Sequence, residues 1–366
     1  DGTLTAWTTN TAIPALTQYH SSFAINGYLY ITGGCPTSCT TPVSTSYSSQ
    51  IASTGTLAAW STLQTIPVIT SNHASVGTNG YLVIAGGTND NGTTKLSTVY
   101  SAPLSSTALA QNASTSFATG NLFDLWNDEV SKFSVDYSGL VSTNAGIQFA
   151  RNSRLQSAPF TADLISSTDP LGAGGTGAYS TLATLPQLLE SHGAVYYNGY
   201  IFITGGDNPV NTSVSTVYSV KVNADGTVGA WQTLTALTVI TRLHDSAAYN
   251  GYLYVVGGYT TTTVSKIYSA PIKSDGTIGA WATLTDLPVT LYDLTTHAYN
   301  GYLYVIAGNN GSAGISKVYS ASINGNGTLS ATWQTLTDLP TLLTGHASVA
   351  YNGYLFVTGG YNNVAN

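Results

Sequence analysis

Charge is scarce in this sequence. Only 7% of the 366 residues are charged, and lysine and arginine together number 9, against 16 aspartates and glutamates. Proteins that bind nucleic acid hold its phosphates mainly with basic side chains, so a chain with a net charge of −7 is not expected to bind DNA or RNA. No apolar run approaches the ~18 residues that a membrane-spanning helix needs. The sequence therefore predicts neither a nucleic-acid partner nor a membrane span.

Cysteine is almost absent. The two that occur, Cys35 and Cys39, lie in one short segment, Cys-Pro-Thr-Ser-Cys. A local disulfide is the expected state of such a pair in an oxidising compartment. A two-thiolate metal site is the alternative, but structural zinc is held by more ligands than this pair supplies. We predict the disulfide, with no metal and no cofactor.

Against this sparse background one signal is strong, because Asn-Gly-Tyr occurs six times. Its tyrosines are Tyr28, Tyr81, Tyr200, Tyr252, Tyr302 and Tyr354, at spacings of 53, 119, 52, 50 and 52 residues. Self-similarity near 50 residues is typical of repeat architectures. The interval of 119 residues is one repeat of about 52 plus an insertion of about 67. The chain is therefore predicted to be six copies of one unit with one interruption.

Each repeat is predicted to form four strands, a to d, because apolar residues alternate with small or polar ones. Asn-Gly between strands a and b indicates a tight hairpin. Strand a is rich in small residues, which suits the crowded axis of a propeller. Strand d carries one large aromatic residue per repeat: Trp7, Trp60, Trp231, Trp281 and Trp333, with Tyr179 in the second repeat. These aromatic residues are expected to fill the wedge between adjacent blades.

The repeat resembles a kelch repeat. Strand b ends in Gly-Gly in five repeats, and Ala307-Gly308 is the exception. A tyrosine in strand c and an aromatic residue in strand d follow, although the 13 residues from Tyr268 to Trp281 imply a longer c–d connection than is usual. The resemblance covers the chain outside residues 105–175 and extends to repetitive kelch-type bacterial surface proteins. It implies an all-β, six-bladed kelch-type β-propeller.

The strand order predicts three segments. Residues 1–104 form blades 1 and 2, with an N-terminal strand at residues 4–9 that closes the ring on the last blade. Residues 105–175 form a small β element inserted in blade 2. Residues 176–366 complete blade 2 and form blades 3–6.

Two features of these segments are less regular. Apolar residues alternate with polar or small ones at residues 133–137, 147–149 and 160–164, which predicts three short strands in the insertion. The last blade has no strand c within the sequence. Either residues beyond Asn366 or another chain is expected to supply it.

Five histidines recur at one phase, eight residues before the repeat tyrosine: His20, His73, His192, His244 and His346. Leu294 holds the sixth position, and His297 is out of phase. A metal or anion site is one interpretation. The structural interpretation is that each histidine caps the backbone of its own blade. We prefer it, because ligands of one metal converge within about 2 Å of it and side chains around a ring diverge.

The d–a and b–c loops emerge on one face, and the d–a loops differ among repeats just before the phased histidines. Repeats whose strands are similar in sequence but whose loops on one rim differ are typical of a binding face, although neutral drift in loops produces the same pattern. The candidate rim residues are Gln18, Tyr19, Asn72, Glu190, Arg242, Tyr292 and Asp293.

These observations predict a non-catalytic protein with a structural, assembly or adhesion role and protein neighbours in a surface assembly. The Ser/Thr-rich, weakly charged composition and the cysteine pair favour an extracellular or cell-surface location. A carbohydrate-binding, lectin-like propeller is the alternative, and a kelch-fold enzyme is third. Among such enzymes, a copper-radical oxidase needs a cysteine crosslinked to tyrosine, and a sialic-acid isomerase needs arginines for the substrate carboxylate. This chain has both cysteines in one loop and only three arginines: Arg151, Arg154 and Arg242.

Overall fold

The protein is built of β-strands in the part of the chain that the structure describes. The computed structural model describes residues 2–15, 17–36, 39, 41–90, 93–104 and 174–362, together with the backbone of strands at 121–127, 130–136 and 141–143. These residues contain no helix, and therefore none that is long and apolar enough to cross a membrane. The chain divides into two compact units, Asp1–Ser105 with Gly174–Asn366, and Ser106–Ala173. The predicted all-β class is confirmed.

Five four-stranded antiparallel sheets form complete blades of a β-propeller, which confirms the predicted architecture at that level. Blade 1 consists of β1 (Ser21–Ile25), β2 (Tyr28–Thr32), β3 (Ser46–Gln50) and β4 (Ser61–Thr62). Blade 2 consists of β5 (Ala74–Thr78), β6 (Tyr81–Ala85), β7 (Val99–Pro103) and β11 (Ser180–Thr181). Blade 3 consists of β12 (Gly193–Tyr197), β13 (Tyr200–Thr204), β14 (Val217–Lys221) and β15 (Gln232–Thr233).

The remaining propeller strands follow the same order. Blade 4 consists of β16 (Asp245–Tyr249), β17 (Tyr252–Val256), β18 (Ile267–Pro271) and β19 (Ala282–Thr283). Blade 5 consists of β20 (Thr295–Tyr299), β21 (Tyr302–Asn309), β22 (Gly314–Ser322) and β23 (Gln334–Thr335). The last repeat forms a two-stranded hairpin of β24 (Ala347–Tyr351) and β25 (Tyr354–Thr358).

The predicted six blades are therefore corrected to five blades and this hairpin. No described strand pairs with the outer edge of β25, so the last sheet has two strands. The hairpin nevertheless takes a place in the ring. The first strands of the repeats contact one another in a closed circle in the order β1, β5, β12, β16, β20, β24 and again β1.

The a–b turns explain why Asn-Gly recurs. Asn250 and Gly251 both have positive φ, 47° and 81°, as a two-residue turn with the twist of a hairpin requires. Asparagine tolerates this left-handed conformation better than most residues, and glycine has no Cβ to oppose it. The register that follows pairs Tyr249 with Tyr252 and buries Leu253 and Val255.

The hydrophobic core lies between adjacent blades. Phe202 and Val217 of blade 3 pack against Leu253 and Ala270 of blade 4, and all four are at most 1% exposed. Trp281 packs at the outer end of this cluster, and its indole N–H donates to the Thr235 carbonyl at 3.0 Å. The strand-d aromatic residue thus occupies the predicted wedge between blades.

A second contact across blades joins each repeat tyrosine to a glycine. The ring of Tyr200 lies against Gly276 in the c–d turn of blade 4, where an added Cβ would overlap it. The same contact occurs around the whole ring: Tyr28 with Gly174, Tyr81 with Gly226, Tyr252 with Gly327, Tyr302 with Gly2, and Tyr354 with Gly55. These contacts explain why both the tyrosine and the turn glycine recur in every repeat.

The N-terminal segment packs where the ring closes. Leu4 and Trp7 contact the cluster that includes Ile306 of blade 5 and Leu355 of the hairpin. The Trp7 indole N–H donates to the Thr337 carbonyl at 3.0 Å. Residues 4–9 are not a strand, however, which corrects the prediction for them. A strand d pairs with strand c, and no described strand c lies beside these residues.

The second unit contains a three-stranded antiparallel sheet, with β9 (Val130–Asp136) between β8 (Asn121–Asn127) and β10 (Val141–Thr143). The predicted strand at 133–137 overlaps β9. The alternation of apolar and polar residues in the sequence did not predict β8. The strands predicted at 147–149 and 160–164 lie outside the described residues.

Candidate functional site

One residue from each d–a loop lies beside the propeller axis with a left-handed backbone. These residues, which we call the axial ring, are Tyr19 (φ 53°), Asn72 (51°), Ser191 (53°), Leu243 (54°), Asp293 (50°) and Gly345 (59°). The backbone N–H of Asn72 donates to the Tyr19 carbonyl at 3.0 Å, and the Tyr19 N–H donates to the Gly345 carbonyl at 2.8 Å. Ser191, Leu243 and Asp293 repeat the bond to the preceding blade. A left-handed backbone is unfavourable for most residues, and these bonds offset that cost.

The residue before each axial-ring member pairs with the residue that follows Gly-Gly in the same repeat. These rim pairs are Gln18–Cys35, Ser71–Thr88, Glu190–Asp207, Arg242–Tyr259, Tyr292–Asn309 and Thr344–Tyr361. In one of them the Tyr259 N–H donates to the Arg242 carbonyl at 2.8 Å. The variable d–a residues and the residues after Gly-Gly therefore form one rim.

Aromatic side chains are concentrated on one part of this rim. The rings of Tyr259 and Tyr292 meet edge to face with centroids 5.7 Å apart, and the Arg242 guanidinium carbon lies 5.2 Å from the centre of the Tyr259 ring. Tyr19 and Tyr361 have ring centroids 5.9 Å apart and hydroxyls 2.9 Å apart. We call Tyr19, Tyr259, Tyr292 and Tyr361 the tyrosine crescent. It spans blades 4 and 5, the hairpin and blade 1.

Gly345 makes room for one end of the crescent. A Cβ on this residue would lie 3.0 Å from the Tyr19 ring and 3.2 Å from the Tyr361 ring. Its φ of 59° is also in the left-handed region. Glycine at this axial-ring position therefore lets two tyrosines approach each other over the backbone.

The crescent surrounds a carboxyl group with an altered pKa. Burial raises the pKa of Asp293 to about 7, while a hydrogen bond from Thr344 and the charge of Arg242 oppose the shift. Burial and then the nearby Asp293 charge raise the pKa of Tyr19 and of Tyr292, and the Tyr361 hydroxyl contributes to both shifts. Burial thus favours the neutral form of the Asp293 carboxyl and of the Tyr19 and Tyr292 hydroxyls.

Buried ion pairs hold the charged side of the rim. The Lys95 ammonium pairs with the Glu190 carboxylate and donates to Asn211 Oδ1 at 2.9 Å. Lys95 and Glu190 are only 3% and 6% exposed. Arg242 pairs with the carboxylate of Asp207, which orients the guanidinium over Tyr259. Of these charged groups, Arg242 is the partly exposed one that borders the crescent.

The phased histidines bond across blade boundaries. Nε2 of His73 lies 2.9 Å from Thr32 Oγ1 of the preceding blade, and Nε2 of His244 lies 2.9 Å from Thr204 Oγ1. The predicted capping of each histidine's own backbone is therefore wrong. The threonine that ends strand b of the preceding blade is the partner, because strand a of the next blade packs against that strand end.

The threonine is replaced at three of the six positions, by Ala85, Val256 and Ile306, and only opposite Val256 is the histidine replaced as well. Where the histidine is Leu294, the threonine position holds Val256, so an apolar pair replaces a polar one. Gly257 contacts Leu294, as Gly205 contacts His244. Blade 5 has Ile306 at the threonine position, and His346 bonds to Thr295 Oγ1 at 3.0 Å instead. His297, the out-of-phase histidine, joins this network through Ser348 Oγ at 2.8 Å.

Burial keeps the phased histidines neutral. It lowers the pKa of His20, His73 and His244 to about 3, and that of His192 and His346 to about 4. An axial cavity of about 110 Å³ is lined by the axial ring, the phased histidines and Leu294. Among the described residues, no group of three or more His, Cys, Asp or Glu side chains is arranged to hold a metal ion.

The predicted disulfide between Cys35 and Cys39 is confirmed, with Cα atoms 4.8 Å apart. Cys35 is fully buried and forms a rim pair with Gln18. The Gln18 side-chain amide donates to the Pro36 carbonyl at 3.2 Å. The disulfide therefore tightens the b–c loop of blade 1 next to the crescent residue Tyr19.

The structure separates the predicted rim residues into three groups. Tyr19, Tyr292, Asp293 and Arg242 lie together, whereas Gln18 and Glu190 are buried in backbone and ionic contacts. Asn72 lies on the axial ring, where its backbone N–H donates to the Tyr19 carbonyl. Tyr259 and Tyr361 were missed, although each directly follows Gly-Gly, a position that the repeat alignment exposes.

Comparisons with known proteins give a fold but no family. No protein-family model matches the chain, and no curated protein matches it. The solved structure of YjhT is similar, with a TM-score of 0.61 at 12% sequence identity, and the match covers 96% of this chain and 93% of that one. At this identity the likeness shows the propeller fold alone.

Proposed function

We propose that this protein is a non-catalytic extracellular propeller that acts in adhesion by binding carbohydrate on the face that carries the tyrosine crescent. The observation that carries the proposal is the crescent itself, in which consecutive ring positions present four tyrosines next to Arg242 and Asp293. Elsewhere on this rim the side chains are small, aliphatic, amide-bearing or engaged in ion pairs.

The chemistry of the crescent suits a sugar. Tyrosine offers a flat apolar ring for the C–H face of a pyranose and a hydroxyl for hydrogen bonding, at a low cost in conformational entropy. Arg242 adds a planar set of N–H donors that Asp207 already orients, and Asp293 adds a carboxyl group. An apolar surface with a few placed polar groups is typical of small-ligand sites.

We also infer that the propeller is of the kelch type. Six rim pairs and six tyrosine–glycine contacts support a ring of six kelch-type repeats, five of them complete blades. The disulfide and the weakly charged composition support an extracellular location. The protein is assigned no catalytic role, because the phased histidines are neutral and four of them bond to hydroxyl groups in the preceding repeat.

A glycan array tests the proposal. Fluorescently labelled protein is compared with Tyr259→Ala and Tyr292→Ala, and with Tyr354→Ala as the matched control. Tyr354 is 39% exposed and lies at the opposite end of the strands, beside an a–b turn.

The wild type and the control are expected to bind the same glycans, and each crescent variant to lose roughly ten-fold in affinity, or about 1.4 kcal/mol. Thermal melts establish that the variants are folded. Absence of binding by the wild type, or equal binding by the crescent variants, contradicts the proposal.

A structural role in a surface assembly is the second candidate. The observation that favours it is the outer edge of β25, which no described strand covers. Exposed strand edges are templates for pairing with another chain.

A further inference from the structure

Lys95 differs from the other lysines that the structure describes, because it is buried. Its side chain is only 1% exposed, whereas those of Lys266 and Lys317 are 49% and 47% exposed and pair with aspartates at the surface. Lysine is almost never buried unless it is paired. The groups around the Lys95 nitrogen therefore indicate what this side chain does.

Two groups contact the Lys95 nitrogen from two further loops. Lys95 lies in the b–c loop of blade 2, and the Glu190 carboxylate pairs with it from the following d–a loop. Asn211, in the b–c loop of blade 3, accepts a hydrogen bond from Lys95 Nζ through its side-chain Oδ1 at 2.9 Å. An amine, a carboxyl group and a carboxamide thus meet at the boundary between two blades.

A tight turn holds Asn211 in this position. The Asn211 N–H donates to the Asn208 carbonyl at 2.9 Å. Oδ1 of Asn208 accepts from the N–H groups of Val210 and Thr212, both at 3.1 Å. Asn211 itself has a left-handed backbone, with φ of 53°. Because Asn208 bonds to the backbone before and after Asn211, the direction of the Asn211 side chain towards Lys95 is fixed.

Glu190 is suited to accept and donate a proton at this point. Burial raises its pKa, while the hydrogen bond from Lys95 and the lysine charge oppose the shift. Its Oε2 atom is buried and accepts no hydrogen bond from the residues that the structure describes. The neighbouring Asp207 carboxylate is already engaged by Ser213 and Arg242. Glu190 is therefore the carboxyl group available beside the Lys95 nitrogen.

We propose that Lys95 and Asn211 react with each other to form an isopeptide bond, with Glu190 as the catalytic residue. Nζ of Lys95 attacks Cγ of Asn211, which carries the oxygen that Nζ already contacts. The Nζ–Cγ bond forms, the Cγ–Nδ2 bond breaks, and Nδ2 leaves as ammonia. Of the three hydrogens of the lysine ammonium group, one remains on the new amide, one passes through Glu190 to Nδ2, and one stays on Glu190.

Two physical effects favour this reaction. Reactants that are held in contact need no further encounter, which gives intramolecular reactions a large advantage in rate. A buried ion pair also loses much of its Coulomb attraction to the desolvation of its two charges. The products at this site are a neutral amide and a neutral Glu190, so no charge stays buried there. Asn211 is exposed, and the ammonia therefore leaves into solvent.

The bond has a consequence for the whole chain. Lys95 precedes the second unit in the sequence, and Asn211 follows it. The crosslink therefore keeps the two parts of the propeller joined even when the chain is cut within residues 106–173. A covalent link that closes a long loop also restricts the unfolded chain, which stabilises the folded protein. This role is separate from carbohydrate binding, and the protein acts only on itself.

An arginine-specific protease tests the inference on the wild-type protein. Digestion of the denatured and reduced chain cuts after three residues only: Arg151, Arg154 and Arg242. Fragments 1–151 and 155–242 are expected to remain joined, with a mass lower than their sum by one ammonia. Tandem mass spectrometry then places the bond at Lys95 and Asn211. This step distinguishes the crosslink from ammonia lost by succinimide formation at an Asn-Gly turn.

Three variants complete the test. Asn211→Ala is expected to give separate fragments, and Glu190→Gln to lower the yield of the joined form roughly ten-fold or more. Asp286→Asn, at the exposed pair with Lys266, is the control and is expected to stay joined. Thermal melts establish that each variant folds. Separate fragments from the wild type, or a joined form that persists in Asn211→Ala, overturn the inference. An unchanged yield in Glu190→Gln overturns the catalytic role of Glu190.

Discussion

At the scale of single residues, positions in adjacent blades meet across each blade boundary, and the pairs are polar, apolar or mixed. His73 bonds to Thr32, and His244 bonds to Thr204. At the next boundary Leu294 replaces the histidine and Val256 replaces the threonine, and both side chains belong to one apolar cluster. The polar pair and the apolar pair are alternative ways of filling the same site. A buried hydroxyl without its partner costs free energy, and a matched apolar pair avoids that cost.

This coupling predicts the stability of two variants. His73→Leu removes one hydrogen bond of the Thr32 hydroxyl, which keeps Ser75 Oγ at 3.1 Å and the Ser21 carbonyl at 3.4 Å, and is expected to lower the free energy of unfolding by about 1 kcal/mol. Adding Thr32→Val recreates the Leu294–Val256 pair and is expected to recover part of that loss. Urea unfolding at pH 7.5 measures both. A double variant as unstable as the single one would show that the two positions are not coupled.

Residue identities on the rim were predictable only in part. Variation in the d–a loops identified Tyr19, Arg242, Tyr292 and Asp293, which the structure brings together. The same variation also selected Glu190, which is buried with Lys95. Sequence variation locates a loop, but it does not distinguish a side chain that faces solvent from one that an ion pair draws inward.

At the scale of elements, turn glycines divide into two classes. Gly251 in an a–b turn and Gly276 in a c–d turn have nearly equal φ angles of 81° and 78°. A Cβ on Gly251 meets open space, whereas one on Gly276 overlaps the Tyr200 ring of the preceding blade. Gly251 is needed only for the left-handed backbone of its turn. Gly276 is also needed because its lack of a Cβ lets the Tyr200 ring pack against it.

Alanine at these two glycines separates backbone strain from packing. Gly251→Ala is expected to cost about 1–2 kcal/mol for the left-handed backbone. Gly276→Ala carries the same strain and is expected to cost about 1–3 kcal/mol more, because Tyr200 must move. Denaturant unfolding of both proteins gives the difference. Equal losses would indicate that the tyrosine–glycine contact contributes little.

The six hairpins and the lack of strand c in the last repeat were both predictable from the sequence. Asn-Gly-Tyr counts a–b hairpins, and six of them form. A four-stranded blade also needs strand c, whose Tyr-Ser signature occurs in only five repeats. The N-terminal residues 4–9 carry the aromatic residue of a strand d, but strand pairing depends on a neighbour that local sequence does not reveal.

At the scale of the whole molecule, buried titratable groups couple the ring to pH. Burial lowers the pKa of six histidines to about 3 or about 4: His20, His73, His192, His244, His297 and His346. They are neutral in the folded protein and take up protons near pH 6.5 when it unfolds. Their stabilising contribution is therefore complete above pH 6.5 and is lost as the pH falls toward 4.

Three carboxyl groups act in the opposite direction. Burial raises the pKa of Asp245 and Asp293 to about 7, and it also raises that of Glu190. These groups bind protons more readily in the folded state, so they favour folding as the pH falls below 7. Six histidines less Asp245 and Asp293 leave an expected net uptake of at most about four protons on unfolding near pH 5, and Glu190 lowers that number.

The predicted result is a free energy of unfolding that falls steeply from pH 6.5 to pH 4. Urea titrations at half-unit pH steps measure the slope. The Thr32→Val/His73→Leu variant lacks one titrating histidine, so its slope is expected to be smaller by about one proton. A stability that is flat or rises as the pH falls through this range would contradict the burial of neutral histidines.

The central claim is that the tyrosine crescent binds carbohydrate, and ring-selective NMR tests it most directly. Protein with ¹³C-labelled tyrosine rings is titrated with glucose, mannose and N-acetylglucosamine oligosaccharides, and single Tyr→Phe variants assign the signals. The account predicts that the signals of Tyr259, Tyr292, Tyr361 and Tyr19 shift with at least one of these sugars, while that of Tyr354 at the opposite end does not. Shifts confined to other tyrosines, or no shift with any sugar, would contradict it.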